Sequence, residues 1–163
     1  MDIRIHPIPI EQKPVLMQMM ELYSYDFSEF SGDDISEYGY YGYSHIDDYW
    51  NEDGRYAYFI RVDGALAGLV MVRSCSEYND LQNPHNIAEF FVMKKYRHKG
   101  IGQKVACQIF DLFPGDWEVS VWKENLPAQK FWGKVIDNYT NGNFKPFTAD
   151  DGGIVGFIFQ NTK

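Results

Sequence analysis

The sequence predicts a mixed α/β fold, and three observations carry that prediction. Short runs of alternating apolar residues are typical of strands, and segments with apolar residues at helical spacing follow several of these runs. Asp63-Gly64 separates two strand-like runs and is a strong signal for a tight hairpin. Gly100-Ile101-Gly102 stands between a further strand-like run and a helix-like run. The predicted order is β-α-loop-β-β-β-α-β-α-β.

The first half of the chain combines one helix, one long loop and three short strands. A strand is expected over residues 2–8, where isoleucines alternate with polar residues. Pro14 suits the first turn of the helix that follows. Residues 28–54 are rich in Gly, Ser, Asp and Tyr, so we expect a loop with short helical pieces. The two hairpin strands are expected over residues 56–62 and 65–73.

The second half contains two more helices and the remaining strands. The helix after Gly100 is expected to end before Pro114-Gly115, because proline and glycine terminate helices. The other predicted elements are strands over 86–93, 117–122, 144–148 and 154–159 and a helix over 125–136. No repeat, low-complexity tract or internal boundary is visible, so we expect residues 1–163 to form a single domain.

Composition and charge argue against several classes of protein. The chain has 163 residues and a net charge of −8, whereas a general nucleic-acid binder usually carries a basic face. No apolar stretch approaches the ~20 residues that span a bilayer, and the first residues contain no signal-peptide core. Cys75 and Cys107 lack metal-ligand spacing, which favours two reduced thiols in a cytoplasmic protein.

The glycine turn is the most informative motif. A helix N-terminus has unpaired N–H groups and a partial positive charge, and Gly100 and Gly102 would let the backbone approach an anion closely. A dinucleotide-binding turn requires a third glycine where Val105 stands. A nucleotide-hydrolase phosphate loop requires Lys-Ser or Lys-Thr where Gln103-Lys104 stands. Neither alternative fits, and a simpler alternative is that Gly100 only relieves a tight turn.

Two segments resemble the GNAT N-acetyltransferases. Arg97-His98-Lys99-Gly100-Ile101-Gly102, after a strand that ends at Val92, is similar to that family's acyl-CoA signature: Arg or Gln, two residues of any kind, Gly, any residue, then Gly or Ala. Asn125-Leu126-Pro127-Ala128-Gln129-Lys130-Phe131-Trp132 is similar to its second motif. The resemblance implies a central mixed, mostly antiparallel sheet flanked by helices. It also implies acetyl transfer from acetyl-CoA to a primary amine, with no metal.

The resemblance also implies roles for individual residues. Backbone groups of the strand would pair with the pantetheine arm of CoA, the turn would hold the pyrophosphate, and the start of the second motif would lie beside the arm. The strand residues are Phe90, Phe91 and Val92. The turn residues are His98, Lys99, Gly100, Ile101, Gly102 and Gln103. The residues of the second motif are Asn125 and Ala128. Arg97 opens the motif and joins Lys94, Lys95, His98 and Lys99 in a local positive cluster, which could also be only a solvated turn.

The chain departs from the family pattern at two places. Trp132 stands where many members have a tyrosine near the CoA sulfur, and an indole N–H is too weak an acid to protonate a departing thiolate. Either water or another residue donates the proton, or the thiolate, a good leaving group, departs without assistance, so loss of the tyrosine need not abolish activity. Gly133-Lys134 follows where the family usually has Gly-Phe, which leaves the path beyond residue 133 open.

Glu89 is the candidate general base. An ionisable group in an otherwise apolar strand is costly unless it has a task or a partner. A primary amine with a pKa near ~10 must lose a proton before it attacks, and a strand carboxylate could accept that proton directly or through a water. The alternative is that Glu89 forms a surface ion pair. His85 and Tyr78 are weaker candidates, because lone histidines are more often structural.

The acceptor is expected to be cationic. The interval between Lys13 and Arg55 contains no Lys or Arg but ten acidic residues and many aromatic ones. In the family that the chain resembles, the segment between the first two strands covers the acceptor site. Carboxylates and tyrosine or tryptophan faces bind cations, so we expect a polyamine-like, aminoglycoside-like or basic peptide acceptor. The alternative is that the tyrosines pack in the core and the acids keep the surface soluble.

Two other classes of function remain open. A CoA-binding sensor would bind CoA with little turnover, and Trp132 in place of tyrosine favours it. An interaction protein that uses the acidic, tyrosine-rich surface would not bind CoA at all. Dimers are common in the family that the chain resembles, so a homodimer is open as well.

Overall fold

The computed structural model describes residues 1–161, which form a seven-stranded sheet with helices on both faces. The strands are β1 (Ile3–Pro7), β2 (Arg55–Val62), β3 (Ala65–Arg73), β4 (Pro84–Val92), β5 (Gly115–Trp122), β6 (Lys145–Thr148) and β7 (Ile154–Asn161). The α-helices are α1 (Lys13–Ser31), α2 (Asp48–Asn51), α3 (Ile101–Leu112) and α4 (Leu126–Thr140). The order across the sheet is β1-β2-β3-β4-β5-β7-β6, in which β4 and β5 are parallel and the other neighbours antiparallel. The predicted mixed, mostly antiparallel sheet is confirmed.

Apolar side chains form a core on each face of the sheet. Val105 of α3 and Val135 of α4 belong to one core, and Leu16 and Met20 of α1 belong to the other. Because strand side chains alternate between faces, the position of a residue along a strand decides which helices it meets. Within the described residues, no helix has both the length and the apolar character needed to cross a lipid bilayer.

The elements follow the prediction, with longer helices. The β2–β3 turn has left-handed backbone angles at Asp63 (φ 49°) and Gly64 (φ 83°), as a two-residue hairpin requires. Helix α1 continues to Ser31, into the stretch expected as a loop, and ends where Gly32 adopts a φ of 72°. Helix α4 continues to Thr140 instead of residue 136, which settles the path of the chain beyond the second motif.

Strands β4 and β5 pair only near their first residues. Their parallel ladder ends at the pair of Asn86 with Glu118. Beyond this pair, β4 continues to Val92 and β5 to Trp122 without further pairing between them. The two strands therefore diverge and leave a gap within the sheet, along which one backbone edge of β4 is open. An extended ligand that carries amide groups can pair with such an edge.

A bulge in β4 changes which face its side chains occupy. Met71 of β3 lies opposite Glu89, whereas the next residue, Val72, lies opposite Ile87. Ala88 is therefore an extra residue in β4. Ile87 contributes to the core under α3 and α4, but Glu89 meets side chains on the α1 face. Without the extra residue the two would share one face of the sheet.

Candidate active site

The turn between β4 and α3 has a backbone shape suited to an anion. His98 and Gly100 adopt left-handed angles, with φ values of 60° and 75°, on either side of Lys99, and all three residues are exposed. Backbone angles that alternate in this way form a concave row of N–H groups. Gly100 is also the N-cap of α3 and offers no side chain to the first N–H groups of the helix. The residues expected to hold a pyrophosphate therefore fit one.

Gly102 has a different reason to be glycine. A Cβ atom there would lie 3.1 Å from the ring of Phe131 in α4 and 3.7 Å from the ring of Phe90. A Cβ atom at Gly100 would meet nothing within 4 Å. Glycine is thus favoured at position 100 because the backbone there is left-handed, and at position 102 because α3 packs closely against α4. The open space beside the turn lies at Gly100.

The guanidinium of Arg97 is engaged by protein groups. It donates to the carbonyl of Val92 at 2.7 Å and to the carboxylate of Asp26 at 2.5 Å. Lys94 lies 3.2 Å from the same carboxylate. Burial alone would raise the pKa of Asp26, but the hydrogen bonds and charges of Arg97 and Lys94 outweigh burial and lower that pKa. The first residue of the motif therefore joins the end of β4 to α1.

The second motif begins as a helix cap and continues into the core. Asn125 accepts the N–H of Ala128 through Oδ1 at 3.0 Å and caps α4. Trp132 is buried, and its ring centroid lies 4.9 Å from that of Phe90 and 4.9 Å from that of Phe131. The residue that replaces the usual tyrosine is therefore part of an aromatic cluster in the core.

Glu89 lies half-buried among tyrosine hydroxyl groups. Burial is the largest influence on its pKa and raises it. Hydrogen bonds from Tyr23 and Tyr43, together with the charge of Arg73, only partly offset that effect, and Glu77 adds to it. This environment is not that of a surface ion pair. A carboxylate with a raised pKa is a better base, which suits it to accept a proton near neutral pH.

Tyr23 and Tyr43 remain protonated beside this carboxylate. Burial raises the pKa of both phenols, and the negative charge of Glu89 raises it further. Both hydroxyl groups therefore act as hydrogen-bond donors that orient Glu89. Both residues lie in the acidic, aromatic interval that the sequence predicts near the acceptor, but neither was singled out as a partner of Glu89. Tyr23 follows the apolar stripe of α1 and Tyr43 is one of several loop tyrosines, so no local signal distinguishes them.

A cavity of about 260 Å³ adjoins Tyr23 on the α1 face. It combines aromatic and acidic walls, and its lining residues are Tyr23, Ser24, Phe27, Asp33, Asp34, Tyr41 and Gly42. Asp47 belongs to the same acidic interval but forms an ion pair with Lys13 instead. Tyr23 both lines the cavity and hydrogen-bonds to Glu89, so one side chain separates the cavity from the candidate base.

The two weaker base candidates have structural surroundings. His85 is buried, with its ring nitrogens 3.2 Å from the Ser74 hydroxyl and 3.2 Å from the Pro114 carbonyl, and burial lowers its pKa. The N–H of Tyr78 donates to the buried carboxylate of Glu118. These contacts hold the segment between β3 and β4. Across residues 1–161, no group of three His, Cys, Asp or Glu side chains is placed to hold a metal ion.

The fold, the open edge of β4 and the turn before α3 are typical of an acetyltransferase. The model of the acetyltransferase (GNAT) family matches residues 16–136, which is most of the chain. The chain therefore belongs to the GNAT acetyltransferase family. No curated protein sequence matches it significantly.

Solved structures of acetyltransferases share this fold. The PaiA N-acetyltransferase of Thermoplasma acidophilum, solved with coenzyme A, has a TM-score of 0.64 at 16% identity, over 98% of this chain and 99% of that one. An acetyltransferase of Thermus thermophilus has a TM-score of 0.71 at 11% identity, over 98% and 97%. The aminoglycoside acetyltransferase AAC(6')-Ib, solved with coenzyme A, has a TM-score of 0.65 at 13% identity, over 98% and 95%. At these identities the likeness establishes the fold.

Proposed function

We propose that this acetyltransferase moves the acetyl group of acetyl-CoA to the primary amine of a cationic acceptor. The observation that carries the proposal is that Tyr23 connects Glu89 to the cavity that contains Asp33 and Asp34. Carboxylates attract an ammonium group, and the faces of tyrosine rings bind cations. An amine held in this cavity would lie beside Tyr23, which hydrogen-bonds to a half-buried carboxylate whose raised pKa suits it to accept a proton.

In the proposed reaction, Glu89 accepts the proton that the amine loses as its nitrogen attacks the thioester carbonyl. The C–N bond forms, the C–S bond breaks, and CoA leaves as the thiolate. Backbone N–H groups near Phe91 and Val92 polarise the carbonyl, and the turn from His98 to Gln103 holds the pyrophosphate. Orientation of the two bound substrates would supply most of the rate gain.

The named relatives support the choice of test acceptors. AAC(6')-Ib has also been solved with coenzyme A and kanamycin, and Arabidopsis thaliana NAA60 with a bisubstrate analogue. Kanamycin represents the aminoglycosides. A polyamine and a basic peptide are the other two acceptor classes that the acidic interval predicts. The second candidate function, a CoA sensor with little catalysis, is favoured by one observation: Trp132, at the position of the usual tyrosine, is buried.

The experiment is a calorimetric titration with acetyl-CoA, followed by thiol release with spermidine, kanamycin and a lysine-containing peptide. Asp33→Asn combined with Asp34→Asn should raise the KM of the best acceptor about tenfold and leave acetyl-CoA affinity unchanged. Asp47→Asn is the matched control, because it removes a charge outside the cavity. An unchanged KM would contradict the cationic acceptor. Binding without release from any amine would favour the sensor, and no binding would remove the role of CoA.

A further inference from the structure

Glu21 of α1 holds the backbone of the segment that covers the acceptor cavity. One carboxylate oxygen accepts the N–H of Tyr41 at 2.7 Å, and the other accepts the N–H of Gly42 at 2.8 Å. Hydrogen bonds to a charged acceptor are stronger than neutral ones, so this pair fixes two successive peptide groups. We refer to residues 32–47, between α1 and α2, as the covering segment.

The peptide groups that Glu21 holds form the wall between two cavities. Tyr41 and Gly42 line the acceptor cavity of about 260 Å³. Gly42 also lines a second, mostly apolar cavity of about 220 Å³, together with Glu21 and Tyr43. Gly42 adopts a φ of 78°, which other residues rarely adopt, so the direction of the chain changes there. The position of Tyr43 therefore depends on how the two preceding residues are held.

Tyr43 connects this wall to the candidate base. It is half-buried, and its hydroxyl group hydrogen-bonds to Glu89. The titratable groups that face Glu89 come from several elements: Tyr23 of α1, Tyr43 of the covering segment, Tyr49 of α2, Arg73 of β3 and Glu77 of the segment after β3. Among these groups, Tyr43 is the one whose backbone directly follows the contacts with Glu21.

We propose that Glu21 is a positioning residue of the acetyl transfer, which sets the place of Tyr43 against Glu89 and of Tyr41 against the acceptor. This inference rests on the proposed function, because it assigns Glu21 a part in proton removal by Glu89. Glu21 acts through the covering segment and does not touch the reacting atoms. Its two oxygens are directed at backbone N–H groups, whereas Asp33 and Asp34 supply the charge for the acceptor.

The test compares Glu21→Gln with the control Glu29→Gln, an exposed position on the same helix. A glutamine amide can accept one of the two N–H groups but presents a donor to the other, so the contact is broken. Loss of the Tyr43 hydrogen bond removes an influence that lowers the pKa of Glu89. In Glu21→Gln, the acidic limb of kcat/KM should therefore move to higher pH, and kcat/KM at neutral pH should fall about tenfold. The control should behave as wild type.

A second readout is independent of turnover. The titration of the Glu89 carboxyl group, followed by 13C NMR and assigned with Glu89→Gln, should shift to higher pH in Glu21→Gln and in Tyr43→Phe. The double variant should shift no further than either single variant, because both changes remove the same hydrogen bond. An unchanged titration in Glu21→Gln, or a change in KM with no movement of the acidic limb, would overturn the inference. Absence of thiol release from wild type would instead reject the proposed function, and the positioning role with it.

Discussion

Ile87 and Glu89 are two positions apart in β4, yet they lie on opposite faces of the sheet. In a regular strand these positions share a face, and here the extra residue Ala88 reverses the alternation. Ile87 completes the core under α3 and α4, while Glu89 meets the tyrosines of the other face. A single inserted residue therefore places the only carboxylate of β4 against Tyr23, which lines the proposed acceptor cavity.

Glu89→Gln should reduce kcat by about 10²–10⁴-fold, because the variant cannot accept the proton of the amine. Affinity for acetyl-CoA should not change, since the proposed CoA contacts use backbone groups. Thiol release under saturating acetyl-CoA measures the first quantity, and calorimetry measures the second. Glu52→Gln, an exposed residue that pairs with Arg55, is the control. Turnover by Glu89→Gln at the wild-type rate would exclude Glu89 as the base.

The same variant should be more stable than wild type at neutral pH. Because folding raises the pKa of Glu89, the unfolded chain loses this proton at lower pH than the folded protein does, and the resulting loss of stability grows from about pH 4.5 until the pH exceeds the folded pKa. Below pH 4.5, the pKa of this carboxyl group in the unfolded chain, wild type and Glu89→Gln both carry a mostly neutral group at this position. The Tm of Glu89→Gln relative to wild type should thus be higher at pH 7.5 than at pH 4. A difference in Tm that does not change between these pH values would contradict the raised pKa.

Gly100 and Gly102 should respond differently to substitution. Gly102→Val should lower the free energy of unfolding by about 1–3 kcal/mol, because its side chain would meet the ring of Phe131. Gly100→Val should cost about 1–2 kcal/mol through its left-handed backbone, without such a contact. Denaturant unfolding in combination with Phe131→Ala separates the two causes. The double variant should show coupling at Gly102 and near-additivity at Gly100. Coupling of similar size at both glycines would refute this assignment.

Asp26→Asn should lower the free energy of unfolding by about 1–3 kcal/mol at pH 6, since it weakens the contacts with Arg97 and Lys94. The pKa of Asp26 is lowered by folding, so its contribution is present above the unfolded value of 3.8 and is lost as the pH falls through the folded pKa. The difference between wild type and variant should therefore shrink below about pH 4. Urea unfolding from pH 6 to pH 2.5 measures the difference in unfolding free energy between wild type and Asp26→Asn. A difference that stays constant over this range would contradict the stabilising role of the ionised Asp26 carboxylate.

Features with local signals could be predicted from the sequence. Asp63-Gly64 accepts the left-handed angles of a two-residue turn, and the hairpin of β2 and β3 is observed there. The apolar spacing after Gly100 and the Pro114-Gly115 stop define α3 within the chain itself. The ends of α1 and α4 were less predictable, because the final turns of a helix depend on what packs beside them.

The parts that could not be predicted depend on contacts between distant residues. The bond between Arg97 and Asp26 joins positions 71 residues apart, and no pattern near either one indicates it. The bulge at Ala88 is defined by pairing with β3, and the contact of Glu21 with Tyr41 requires the covering segment to fold back over α1. The residue identity of Glu89 was visible in the sequence, but its surroundings were not.

The divergence of β4 and β5 also has a mechanical consequence. Four strands lie on one side of the gap and three on the other, and the two groups share a seam of three residue pairs. A donor molecule seated along the β4 edge would brace this seam, and its binding free energy would add to the resistance of the fold to heat and proteases. The lifetime of the enzyme would then follow the supply of acetyl-CoA, so that the protein lasts longest when it has substrate to use.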